Sequence, residues 1–116
     1  MATAVEKVRG HPFAGDVLLY KWVLTASETG EKIVVPRHSD KTVHLFGTFG
    51  GTVTIEGSLD PTMADTSTDN ILLQDQADVD LSFTAKDCKT IVQNVYKIGP
   101  KAGVGITSVT IFIMVR

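Results

Sequence analysis

Between residues 106 and 115 apolar side chains recur at every second position: Val109, Ile111, Ile113 and Val115 on one side of an extended chain, Phe112 and Met114 with Thr110 on the other. Successive side chains of a strand point to opposite faces, whereas a helix would scatter both sets around its surface, so this segment specifies a strand with apolar residues on both sides. The same period runs through residues 16–26, where Leu18, Tyr20, Trp22, Leu24 and Ala26 share one face and Val17, Leu19, Lys21, Val23 and Thr25 the other. A second face that is largely apolar predicts a strand covered on both sides. Val53 and Ile55 alternate with Thr52, Thr54 and Glu56, the pattern of a strand with one buried face.

Val, Ile and Thr number 14, 8 and 14 of 116 residues. These stiff side chains fit a pleated, half-buried surface, and their abundance extends the β reading to the whole chain. Further strands are expected at 32–35, 42–46, 71–73, 81–84 and 89–98. Ser27-Glu28-Thr29-Gly30 predicts a hairpin turn between the first two strands, Gly47-Thr48-Phe49-Gly50-Gly51 a tight hairpin loop, and Gly99-Pro100-Lys101-Ala102-Gly103 a turn. Residues 59–70 lack apolar periodicity and read as a long surface loop. Short strands with turn signals at regular spacing predict an all-β fold, an antiparallel β-sandwich of jelly-roll-like form. Residues 1–15 read as an irregular N-terminal arm, and 16–116 as a single sandwich domain.

The formal net charge of −2 offers no cationic field for phosphates, which disfavours autonomous nucleic-acid binding. Charge is nevertheless segregated: residues 59–88 hold seven Asp and one Lys, and residues 89–116 hold four bases and no acid. Such segments fold side by side or meet on neighbouring subunits. Cys88 is the only cysteine, so no intrachain disulfide forms. The N-terminus lacks the apolar core of a signal peptide and no window suits a membrane span, so the expectation is a protein made in the cytoplasm without a membrane partner.

The glycines of 47–51 lack the spacing of a dinucleotide fingerprint and the Lys-Ser/Thr ending of a P-loop. Asp75, Asp78 and Asp80, with Asp60, Asp65 or Asp69, offer oxygen to a cation but not at EF-hand spacing, and read as solvated loop acids. His11, His38 and His44 are scattered, and Cys88 has no zinc-ligand neighbour in sequence. Neither Cys88 nor Ser39 stands in a frame that activates a nucleophile. Tyr20 and Trp22 alternate on an apolar face without flanking cations, which favours core over a stacking platform. The expectation is a binding protein, with no enzyme activity, no cofactor and no metal.

The run His44-Leu45-Phe46-Gly47-Thr48-Phe49-Gly50-Gly51-Thr52-Val53-Thr54-Ile55-Glu56-Gly57-Ser58 resembles the G-T-F-G-G and [IL]-E-G-S segment of small virion proteins from tailed bacteriophages. Gly15-Asp16 leading to Trp22, Thr29-Gly30-Glu31, Leu72-Leu73-Gln74-Asp75, Leu81-Ser82-Phe83-Thr84, Ile98-Gly99-Pro100 and Ser108-Val109-Thr110-Ile111 extend the likeness over about a hundred residues. It departs where the family has an Asn-Asp-Gly turn and a tryptophan, here Leu59-Asp60-Pro61 and Asn70-Ile71. The resemblance implies a non-enzymatic virion protein, foremost a decoration or cement protein on the capsid exterior. Its implied partners are the major capsid protein and further copies of itself, a trimer by analogy with the lattice's local threefold positions. A tail, neck or fibre-associated role is the alternative. Exposed apolar side chains of the 47–51 loop and of the less buried face of the last strand, Phe49, Phe112 and Met114, are the expected interface, with Phe49 folding back as a plug over the sandwich end as the alternative for that residue.

Overall fold

The computed structural model describes residues 2–8, 17–35 and 40–116. Strands β1 (Glu6–Lys7), β2 (Leu18–Leu24), β3 (Ile33–Val34), β4 (Lys41–Thr48) and β5 (Val53–Ser58) are followed by β6 (Ile71–Leu72), β7 (Ser82–Phe83), β8 (Asp87–Ile91), β9 (Lys97–Ala102) and β10 (Ser108–Val115). Among the described residues there is no helix. Two antiparallel sheets result, one in the order β1-β2-β10-β4-β8 and the other β3-β9-β5-β6 with β7 also on β5. Strands pair in nested fashion, β2 with β10, β3 with β9, β4 with β8 and β5 with β6. A long folded-back ribbon rolled across two sheets has this order, the jelly roll.

Nesting overturns the expected local hairpins. β3 pairs with β9 and not with β2, so the turn at 25–30 carries the chain from one sheet to the other. Glu28 still closes it, its Oε1 accepting the Thr25 backbone N–H at 2.6 Å and the Thr25 hydroxyl at 2.8 Å. The 47–51 segment likewise crosses between sheets instead of joining a hairpin, because β4 lies with β10 and β5 with β9. Its glycines answer to close approach: a Cβ on Gly50 would strike the Gly105 carbonyl oxygen, and Gly47 has φ of 138°. The single strand expected over 89–98 is two. The chain leaves the first sheet at Ile91 and enters the second at Lys97, while Val95 on the connection reaches the core. Residues 99–102, expected as a turn, belong to β9. The Pro100 carbonyl accepts the Gly30 N–H at 2.8 Å, so the proline nitrogen faces the same side, past the end of β3, where no ladder bond is needed.

Of the expected irregular arm, Glu6 and Lys7 pair with Lys21 and Tyr20, and Thr3 bridges to Gly30; positions 9–15 lie outside the described residues, as do Asp16 and Pro36. Loop 59–70 contains no strand.

The core lies between the sheets. Val109, Ile111, Ile113 and Val115 are fully buried, as are Leu24, Val43 and Leu45 from the same sheet and Val53, Ile55 and Ile98 from the other. Trp22 is buried too, its indole Nε1 donating to the Glu31 carbonyl at 2.8 Å. Lys41 projects inward at the start of β4 with its ammonium 3.2 Å from Asn94 Oδ1, and burial pulls its pKa below the ordinary lysine range against the opposing effect of Asp40.

Candidate interaction surface

The strand periods place two outward faces on the sandwich, and the chain treats them differently. Over the second sheet, loop 59–70 is folded back onto β5 and β9. Lys32 Nζ donates to the Asp65 carbonyl at 2.8 Å and contacts Glu56 Oε1 at 3.3 Å, while Lys97 Nζ donates to the Met63 carbonyl at 2.9 Å. Asn70 Nδ2 gathers the loop's own carbonyls, Ser67 at 2.9 Å and Ala64 at 3.1 Å. The acidic middle and the basic end thus meet within one chain, as they do where Lys89 Nζ lies 3.4 Å from Asp75 Oδ2.

The outward face of the first sheet carries no such loop. Register aligns its side chains in rows: Leu19, Met114, Thr42 and Thr90; Glu6, Lys21, Phe112, His44 and Cys88; Val23, Thr110 and Phe46. Phe46 and Phe112 stack with ring centroids 6.2 Å apart, His44 stands 5.4 Å from Phe46, and Lys21 Nζ lies 5.9 Å over the Phe112 ring. Phe46 and Met114 are each 39 % exposed and Val23 48 %. An open depression of about 360 Å³ is lined by Leu19, Thr42, His44, Phe112 and Met114. The covering expected over Leu19, Lys21 and Val23 is therefore absent from the chain's own described residues: Val23 stays exposed and the other two half-buried.

Phe112 and Met114 come together on this face. Phe49 does not join them: it is half-buried and packs against the core cluster, as do Tyr20 and Leu18. Phe46, Leu19 and Val23 complete the surface. Their apolar, outward-phased positions were legible, but which strands stand side by side was not. Trp22 belongs to the core.

Among the described residues the remaining candidates are used structurally or stand apart from one another. Asp75 Oδ1 accepts the N–H groups of Ala77 and Val79 at 2.8 and 3.1 Å. The Val79 bond foremost, with the Ala77 bond and Lys89, holds its carboxyl below the usual range against the effect of burial. Asp60 is likewise lowered, chiefly by the Thr62 hydroxyl and then by the Thr62 N–H, and Asp80 accepts from Gln74 Nε2 at 3.2 Å. Asp60 and Asp75 thus serve as turn acceptors. Among the described residues no three His, Cys, Asp or Glu side chains gather as metal ligands. His44 and exposed Cys88 face each other across β4 and β8; His11, His38 and Ser39 lie outside the described residues.

This architecture has a solved counterpart. The chain is similar in fold to a prophage protein. The SPBc2 prophage-derived protein YomS superposes with a TM-score of 0.62 at 14 % identity, over 90 % of this chain and 98 % of that one. No family model matches the chain, and no curated protein matches it in sequence. At that identity the likeness is one of fold, and it extends over nearly the full length of both chains.

Proposed function

We propose that this chain is a non-enzymatic structural protein of a phage virion, foremost a decoration protein that binds the major capsid protein lattice from outside and stabilises it. The observation that carries the reading is the uncovered apolar face built by Leu19, Phe46, Phe112 and Met114 on a rigid sheet, in a chain that lays its own loop over the opposite sheet. Rigid sheets present aromatic and aliphatic anchors at low entropic cost, which suits permanent assembly contacts. The sequence resemblance to small virion proteins and the fold likeness to a prophage-derived protein support the setting. Neither nucleic acid nor a membrane is among the proposed partners.

Copy number in purified virions tests this. Quantitative gel analysis is expected to find the chain in numbers commensurate with the major capsid protein. A handful of copies per particle would replace the capsid role with a tail, neck or fibre-associated one, and absence from purified particles would overturn the virion reading altogether.

A further inference from the structure

We propose that the outward face of the β1-β2-β10-β4-β8 sheet is the contact between two copies of this chain, packed face to face about a twofold axis. This inference rests on the same face as the reading above and assigns it to a copy of the chain, so a dimer would meet the capsid lattice through its remaining surfaces; sedimentation of the isolated chain and copy number in virions test the two separately.

Size comes first. Seven residues of β10 are paired with β2, and β4 and β8 continue the same rows. At about 4.8 Å between strands and about 3.4 Å per residue, four strands over that length present roughly 450 Å² in plan. With side-chain relief, two such faces remove about 1,000 Å² of total surface from water, the lower bound for a specific interface. Covering the face with a second copy therefore reaches the size at which a weak specific association begins.

Charge then selects the occupant. Register places only two formal charges on the face, Glu6 and Lys21, and sets them opposite each other on neighbouring strands, so the face is net neutral. Lys21 is also turned onto the Phe112 ring. At the rim, Asp40 and Arg116 are paired with each other at 3.3 Å. A partner chosen by opposite charge finds no net field here, whereas an identical neutral face meets no like-charge penalty.

Geometry agrees. Two twisted sheets pack face to face about 10 Å apart at roughly −30°, and the stacked pair Phe46 and Phe112 with Met114 supplies relief that interdigitates with a copy of itself. A single self-complementary patch makes an isologous contact, which closes at two. A threefold ring would instead need two different patches on each copy.

Sedimentation equilibrium of the full chain tests the proposal, run across a concentration series with wild type, Phe112→Glu, Met114→Glu and Val104→Lys. Val104 is 86 % exposed on the β9–β10 loop, away from the face, and serves as the control. Wild type and Val104→Lys are expected to rise to twice the 12.5 kDa chain mass. Both Glu variants should raise the dimer dissociation constant about 30-fold or more, the effect of losing a central anchor. Cooperative melting is monitored alongside, and Met114→Glu, at a more exposed position, keeps the test valid if Phe112→Glu misfolds. A wild type that stays monomeric to millimolar concentration, a trimer, or a dimer indifferent to a folded Glu variant would overturn it.

Discussion

Replacing Ile111 by Asp is expected to unfold the domain. Ile111 is fully buried at the centre of β10, between Trp22 on β2 and Leu45 on β4, both themselves buried. A carboxylate there lacks water and any cation designed to meet it, and the chain must hold the charge uncompensated or protonate it at a similar cost. About 5 kcal/mol is lost, against the 5–15 kcal/mol or so that holds a domain of this size together. Circular dichroism and denaturant titration check this: the variant should lose its cooperative transition or be driven to a midpoint near zero denaturant. A transition close to that of wild type would mean that β10 is not the interior strand described.

Trp22→Ala carries the second largest effect, for a different reason. The indole fills the corner where the chain passes from β2 in one sheet to β3 in the other. Its Nε1 holds the Glu31 carbonyl at 2.8 Å, and Gly30 lies so close that a Cβ there would sit 2.8 Å from the ring and 2.9 Å from Pro100. Truncation opens a large cavity and strands the carbonyl. The expected cost is about 4 kcal/mol, from the range for large aromatic deletions, and a melting temperature lower by roughly 20 °C for a chain of this length. Trp22→Phe keeps most of the volume but not the donor and should fall between the two. If Trp22→Ala costs no more than an exposed substitution, the indole is not the sheet-crossing anchor.

What the sequence made legible was the direction of side chains, and what it hid was who stands beside whom. Period-two alternation correctly assigned Val109, Ile111, Ile113 and Val115 to the interior, and Trp22 and Leu24 with them. Lateral pairing depends on contacts between strands far apart in sequence, such as β2 with β10, and no local turn signal encodes it. Ser27 to Gly30 and Gly47 to Gly51 contain residues that also make hairpins, but here they accommodate a change of sheet. Residues 89–98 carry apolar side chains densely enough to read as one strand; the two sheets instead share them, with a core contact from Val95 on the crossing. The apolar second face of residues 18–24 was a true signal with the wrong inference attached, since its neighbours Phe112, Met114 and Phe46 form an open surface with it. Phe49, at a loop tip between threonine and glycine, left an interface role and a plug folded back over the sandwich end both open in sequence, and the structure packs it against the core.

Binding to the capsid lattice is the measurement that bears most directly on the proposed role. Purified protein titrated onto expanded, undecorated capsids of the phage that encodes it is expected to co-sediment saturably, reaching a fixed ratio to the major capsid protein. Failure of the folded protein to bind such capsids at any concentration would contradict the capsid role.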